Sequence, residues 1–300
     1  MIDYKQLQTL AAILEEDSFD KAATRLHISQ SAVSQRLKQL EDTIGQTLIL
    51  RSNPIQVTTA GQQLLKHYRQ ISLLQRELFA ELSQKQADGY TRIAIGLNAD
   101  SLATWFLDAV QPLLQKEKIL FELKVDDQDQ THHLLKSGQV IGCISSNPKP
   151  MQGCNCIPLG IVTYRFLASP EYVARYFPDG INREGFLQAP VAEFSNKDEL
   201  QNRYLQTFFN IAANEYPKHR IPSTESFFQM VIRGLACGMI PDQQSREPLD
   251  NGKVVDLSPG QYIDVPLYWH VWNLKSDLYR QLTHALTRVA SKELSPFKAE

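Results

Sequence analysis

The run from Phe19 to Glu41 constrains this chain more than any other stretch, because it reads as two short amphipathic helices joined by a tight turn. In the first, Phe19, Ala22, Ala23 and Leu26 recur at the spacing of one helical face. In the second, Val33, Leu37, Leu40 and Ile44 make another stripe, with Ser29 where an N-cap belongs and Gly45 as a stop. Side chains as small as Ala22 and Ala23 let the two helices approach closely, as a helix-turn-helix requires. The face left over on the second helix carries Gln30, Ser31, Ser34, Gln35 and Lys38, with Ser29 at its head. Amides, hydroxyls and a cation are the groups that read base edges and hold phosphates in a major groove. Any surface helix has a polar face. The combination of cap, turn, small residues and a Ser/Gln/Lys face points to double-stranded DNA as a partner.

The flanks extend this unit. Leu7, Leu10, Ala11 and Leu14 mark a helix from about Tyr4 to Glu15. After Gly45, residues 47–51 and 55–58 read as short strands around the turn signal Ser52-Asn53-Pro54. That is a hairpin wing, and Arg51 on its shoulder is placed to reach a phosphate or the adjacent minor groove. Thr58 or Thr59 then caps a long helix reaching about Gln86. On it Leu64, Tyr68, Ile71, Gln75, Leu78 and Leu82 alternate at spacings of four and three, and Leu65, Leu74 and Phe79 broaden the seam. Packing on the chain's own C-terminal half is one way to cover such a surface. A second copy is the favoured one, because a homodimer presents two recognition helices to a two-fold site.

Charge and composition bound the remaining possibilities. The net charge is −2, so no global basic field draws the chain to nucleic acid. Locally, Lys21, Arg25, Arg36, Lys38 and Arg51 face only Glu41 and Asp42, an arrangement suited to a phosphate backbone. No apolar run approaches the roughly 18 residues of a membrane helix, and the N-terminus shows no signal-peptide pattern, so a cytoplasmic protein without membrane partners is expected. Cys143, Cys154, Cys156 and Cys237 provide no zinc spacing and are read as structural thiols, a peroxide-sensing Cys154/Cys156 pair being the alternative. There is no Gly-rich phosphate loop, nucleophile elbow or H-E-x-x-H, and His132-His133 reads as a surface helix pair. Neither an enzyme nor a cofactor or metal is expected.

From residue 92 onward strands and helices alternate. A strand at 92–97, a helix at 102–114 ended by Pro112, a strand at 119–125, a helix at 130–136 and a strand at 140–145 make βαβαβ, hence a mainly parallel sheet. A second α/β unit starts near Ile161, and the tail, with Leu267-Tyr268-Trp269-His270-Val271-Trp272 and a helix at 276–294, returns to the first. The expected fold class is therefore an N-terminal all-α winged helix-turn-helix (1–58), a dimerisation linker helix (59–89) and a C-terminal two-lobed α/β effector domain of the periplasmic-binding-protein type (90–300). Lobe 1 takes about 90–161 and 266–300, and lobe 2 about 162–265. Such lobes close on small molecules.

Ala22-Ala23, Leu26, Ser29-Gln30-Ser31-Ala32-Val33-Ser34, Leu40-Glu41, Gly45, Leu48, Arg51, Thr58 and Gly61 resemble the N-terminal pattern of the LysR-type transcriptional regulators. Ile49 stands where the family usually has Phe, a conservative apolar exchange. The effector half is similar to the narrower ArgP/LysG group, on 98–105 (NADSLATW), Ser223-Thr224-Glu225, Met239-Ile240-Pro241, 256–260 (DLSPG) and Leu267-Tyr268-Trp269-His270. That resemblance implies a regulator, mainly an activator working with RNA polymerase, that binds lysine or arginine and controls amino-acid export or metabolism. It also implies a homodimer that pairs further into a tetramer in many relatives. A DNA-architectural or replication-inhibiting protein on curved DNA is the alternative, as is a family member with another effector.

The chemistry of a basic amino acid selects candidate contacts. Its cations need carboxylates, and Asp100, Asp127 and Glu225 stand at strand ends or helix starts. Its carboxylate suits a helix start, such as Asp100-Ser101 or Thr224-Glu225, and Ser145 and Ser146 are placed to donate to it. Asn98 opens the first of these motifs. Asp126 is expected to point away from Asp127 if the strand still alternates there. Each acid has a plainer reading as a capping residue or, at 126–129, as a solvated charge run. Trp105 and Tyr268-Trp269-His270 are read as core packing, and Glu193 as an acid near the cleft without a motif.

Overall fold

The computed structural model describes residues 2–83, 89–126, 131–196 and 198–297. Three helices open the chain: α1 (Tyr4–Glu16), α2 (Phe19–Leu26) and α3 (Gln30–Ile44). Local capping delimits α2 and α3, as Ser29 and Gly45 imply for the second of them. Ser18 Oγ accepts from Lys21 N at 3.3 Å, and Ser29 Oγ from Ala32 N at 3.2 Å. His27 (φ 54°) and Gly45 (φ 74°) close α2 and α3 in the left-handed conformation. Leu7, Leu10, Ile13, Ala22, Ala23, Val33, Leu37 and Leu40 form one core, which Leu48 and Ile49 join from the wing.

The wing strands β1 (Ile49–Leu50) and β2 (Gln56–Val57) are antiparallel and shorter than the sequence pattern implies. Side chains replace the missing ladder bonds. Glu41 accepts from Leu48 N at 2.8 Å and Asp17 from Ile55 N at 2.7 Å. Thr58 Oγ1 accepts from Gly61 N at 3.2 Å and donates to Thr47 O at 2.8 Å, so Thr58 rather than Thr59 caps α4 (Thr59–Ser83). The end of this helix expected at Gln86 lies outside the described residues.

Helix α4 divides its faces. Leu64 and Tyr68 join the N-terminal core, with Tyr4 and Tyr68 rings 5.3 Å apart. A second stripe lies on the chain's own effector domain, with Leu73 against its core. Leu74, Leu78, Phe79 and Leu82 stay exposed, Leu82 to 71%. The helix thus has one face against its own effector domain and another that stays exposed.

The effector domain continues through β3 (Thr91–Leu97), α5 (Ala99–Ser101), a π-helical turn (Leu102–Phe106), α6 (Leu107–Lys116), β4 (Ile119–Val125), α7 (Thr131–Lys136), β5 (Gly142–Ser145) and β6 (Cys154–Ala168). Pro112 lies inside α6 instead of ending it, because Val110 and Leu113 on either side are buried in the core. Packing here outweighs one lost backbone bond. The next unit runs α8 (Pro170–Tyr176), α9 (Arg183–Phe186), β7 (Val191–Glu193), α10 (Leu200–Phe209), β8 (Lys218–Arg220), α11 (Thr224–Ile232), β9 (Gly238–Pro241), α12 (Asp242–Asp250) and β10 (Val255–Asp256). The chain returns on β11 (Tyr262–Trp272) and ends in α13 (Asp277–Glu293).

Within the large sheet only β4-β3-β5 is parallel, as the βαβαβ pattern requires. The expectation of a mainly parallel sheet needs correcting at β6 and β11, two long strands antiparallel to each other. Their far halves carry β9 and β10, so the two strands run through both lobes. Their register shifts between Leu267 and Tyr268. Beside that shift Gly160 has φ 147°, and a Cβ there would meet Leu294 Cβ at 2.6 Å. Glycine permits both the backbone angle and the close approach of the α13 end.

Candidate functional site

On α3, Gln30, Ser31, Gln35 and Lys38 are exposed and Ser34 is half-buried, while Val33, Leu37 and Leu40 are buried. Ser29 and Ser31 hydroxyls lie 2.9 Å apart, and Gln30 Nε2 donates to Ser34 Oγ at 3.3 Å. A groove of about 830 Å³ runs between this helix and the wing, lined by Ser34, Gln35, Lys38 and Arg51 among others. The Arg51 guanidinium lies over the Phe19 ring, 4.9 Å from its centroid, which ties the wing to α2. Arg25 is removed from the phosphate-facing set. Glu15 and Glu16 bind it at 2.6 and 3.2 Å, so the acids preceding the motif neutralise it.

A cleft of about 990 Å³ opens between the lobes. Lobe 1 contributes Asn98, Asp100, Asp126 and Ser146, the crossing strands Tyr164 and Asp264, and lobe 2 Asp198, Arg203 and Thr224. Asp100 sits at their junction. Its Oδ2 accepts from the Tyr164 hydroxyl at 2.7 Å, and its Oδ1 from Thr224 Oγ1 at 3.4 Å. No cation pairs with it among the described residues. Burial raises its carboxyl above the ordinary range, and the two hydroxyl donors offset this only in part. Asn98 Oδ1, also buried, has no partner among the described residues.

The other acids differ in availability. Asp198 spends its oxygens on Phe194 N at 2.8 Å and Leu200 N at 3.1 Å, bracing the turn before α10. Burial raises it too, despite those bonds, and Asp100 and Glu193 add like-charge repulsion. Asp264 accepts from Thr163 Oγ1 at 2.7 Å. Glu199 also lines the cleft, and Arg203 is the one cation among the described lining residues. The wall is therefore strongly acidic.

Among the sequence-predicted contacts, some line the cleft and others lie one position away from a residue that does. Ser101 is buried beneath the cleft, since one helical residue turns about 100° away from Asp100. Ser145 is buried and accepts from Asn147 N at 3.1 Å, while Ser146 lines the cleft. Thr224 faces in, whereas Glu225 is exposed in the first turn of α11, where the helix dipole favours an acid without any ligand. Asp127 lies outside the described residues. Asp126 lines the cleft because β4 has ended at Val125 and strand alternation no longer applies.

Other residues resolve into structural roles. Glu193 is buried, accepting from Tyr216 Oη at 2.9 Å and Lys218 Nζ at 2.6 Å, away from the cleft. Trp105, Trp269 and His270 are core residues. His132 is half-buried, its ring packed edge-on against His270 at 4.6 Å, while His133 is exposed. All four cysteines are free. Burial pushes the Cys143 and Cys237 thiols up to about 12 and raises Cys154 and Cys156, which disfavours the reactive thiolate at all four. No helix among the described residues is long and apolar enough to cross a membrane.

Comparison with known proteins agrees with both halves of the architecture. Residues 4–62 match the family described as bacterial regulatory helix-turn-helix protein, lysR family, and residues 88–290 match the LysR substrate binding domain. The "HTH-type transcriptional regulator ArgP" of Aeromonas salmonicida is 40% identical over 295 residues, covering 98% of this chain and 99% of the relative. The crystal structure of ArgP from Mycobacterium tuberculosis superposes with a TM-score of 0.88 at 36% identity, covering 99% of this chain and 100% of that one. Full-length LysG from Corynebacterium glutamicum with bound effector Arg gives a TM-score of 0.81 at 33% identity, over 98% of this chain and 100% of that one. The chain belongs to the LysR family of bacterial transcriptional regulators.

Proposed function

We propose that this regulator senses a basic amino acid, arginine or lysine, in the cleft between its lobes and controls genes of amino-acid export or metabolism. The observation that carries this reading is the cleft wall, where Asp100, Asp126, Asp198, Glu199 and Asp264 face one cation, Arg203. A zwitterion with a second positive charge suits such a wall better than a neutral or anionic effector does. In this proposal the α-ammonium goes to Asp100, which hydrogen-bonds to both a crossing strand and lobe 2. Arg203 takes the carboxylate, and Asp126 and Asp264 attract the side-chain cation. LysG of C. glutamicum, a relative of the same architecture, has arginine as its bound effector.

Thermal denaturation with each of the twenty amino acids tests the proposal. A ligand that binds only the folded state raises the midpoint with concentration, by about 5–10 °C at a hundredfold excess over Kd for a domain of this size. Stabilisation by arginine or lysine alone supports the reading. A shift by an acidic or apolar amino acid instead would discard it.

On the DNA side, we assign base reading to Gln30, Ser31, Ser34 and Gln35, and phosphate contacts to Ser29, Lys38 and Arg51. Lys38→Ala should weaken operator and unrelated DNA alike and lower the slope of log K against log salt by about one. Loss confined to the operator would make Lys38 a base reader. Two copies joined along the exposed Leu74, Leu78, Phe79 and Leu82 would bring two such faces to one two-fold site.

A further inference from the structure

Two buried side-chain oxygens of cleft-lining residues have no hydrogen-bond partner among the described residues. One is Oδ1 of Asn98, which opens a lobe 1 motif. The other is Oε1 of Gln201 in lobe 2, the second residue of α10, which no motif marks. Gln201 is only 2% exposed, so its amide lies out of bulk solvent although it borders the cleft. Buried polar atoms are almost always paired, because an unpaired one keeps the full cost of its desolvation. Glu193, buried to a similar degree, meets Tyr216 Oη and Lys218 Nζ within lobe 2. For Gln201 Oε1 the fitting partner is a donor on a molecule in the cleft.

The neighbours of Gln201 sharpen that role. Asp198, just ahead of the helix, is committed to Phe194 N and Leu200 N. Helix α10 packs on β11, the crossing strand that carries Asp264. The wall thus combines carboxylates, which attract any cation, with a neutral oxygen, which adds no charge. Charge alone does not separate arginine from lysine, since each side chain carries one positive charge. A directional neutral acceptor does. The ammonium of lysine is a compact, strongly hydrated point charge, and a neutral oxygen repays little of its lost water. A guanidinium is planar and more weakly hydrated, with five N–H donors in a fixed fork. It can turn one edge to a carboxylate and another to an amide oxygen.

We propose that Gln201 selects arginine over lysine, its buried amide oxygen accepting from the guanidinium while the acidic wall supplies the attraction common to both. The assignment rests on the effector function proposed above and names the residue that reads the side-chain end of the ligand.

Calorimetric titration of full-length wild type, Gln201→Met and Gln201→Glu with arginine and with lysine tests it. Wild type should bind arginine at least about tenfold more tightly than lysine, the low end for one hydrogen bond to a charged group. Gln201→Met keeps the side-chain length and removes the acceptor. It should weaken arginine by about 10- to 100-fold and leave lysine nearly unchanged. Gln201→Glu adds a charge that suits an ammonium, so lysine should gain on arginine. Melting of the ligand-free proteins separates this role from a structural one. Removing an acceptor that has no partner should leave Gln201→Met as stable as wild type or more so. A lower midpoint with both ligands weakened alike would make Gln201 structural and overturn the proposal. Lysine bound by wild type as tightly as arginine overturns it too, as does an arginine preference that survives in Gln201→Met. In those cases the effector function stands. Wild type that binds neither amino acid overturns the effector function itself, and this assignment with it.

Discussion

Asp100→Asn should sharply reduce arginine-induced stabilisation and leave the ligand-free protein as stable as wild type at neutral pH, or more so. The carboxyl is half-buried at the junction of the lobes, no cation reaches it among the described residues, and desolvation raises it above the usual carboxylate range. Relative to the unfolded chain, the ligand-free fold therefore disfavours the ionised form. Stability from this group is then fully present below the unfolded-state value and is lost as pH rises through the raised folded-state value. Asparagine keeps the shape and removes that loss, so the variant should gain on wild type across the same pH window. A bound ammonium reverses the preference by supplying the missing counter-charge. Truncating one partner of a buried charge pair costs about 2–5 kcal/mol, so arginine affinity should fall by about 30-fold to a few thousand-fold. Calorimetric titration measures the affinity, and melts from acid to neutral pH measure the stability. An Asn variant that binds arginine as wild type does would remove Asp100 from the site.

The contrast between the two halves of the chain shows what a sequence pattern can carry. The winged domain is legible because its instructions are local. Ser29 and Gly45 act within a few residues of themselves, and the apolar stripes of α1 to α3 face a common core at fixed helical spacing. The cleft is built otherwise. Asp100, Tyr164, Thr224 and Asp264 meet only because β6 and β11 run through both lobes and bring distant segments together. Motifs locate three of the cleft's neighbourhoods, and within them rotation chooses the residue. Asp100 faces in and Ser101 does not, Ser146 and not Ser145, Thr224 and not Glu225. A step of one residue turns a helix by about 100° and a strand by about 180°. Tyr164 and Asp264 carry no local signal at all, being unremarkable members of long strands. Asp198 is hidden similarly, as an acid whose role in bracing the turn before α10 depends on Phe194 and Leu200.

Gly61→Ala sets two effects of opposite sign against each other, and their sizes decide the outcome. Alanine in place of glycine favours a helix by about 1 kcal/mol. Here, however, the new Cβ would lie 2.2 Å from the Leu48 carbonyl oxygen and 2.8 Å from Val57 Cγ2. The first is backbone and cannot rotate away. That oxygen also accepts from Thr58 N at 3.0 Å and from Thr58 Oγ1 at 3.1 Å, the bonds that join the wing to the start of α4. Overpacking costs about 1–3 kcal/mol and each disturbed hydrogen bond about 1 kcal/mol, so the winged domain should lose about 1–4 kcal/mol net. The chain offers a built-in control, because its three tryptophans, Trp105, Trp269 and Trp272, all lie in the effector domain. Urea unfolding followed by tryptophan fluorescence should be unmoved in the variant, while far-UV circular dichroism reveals an earlier loss of helix. DNA affinity should fall with the second signal and not the first, because the wing and α3 share the groove in which Lys38 and Arg51 lie. Superimposable curves for variant and wild type by both probes would mean that Leu48 yields at no cost, and that the wing is not held where the Thr58 bonds place it.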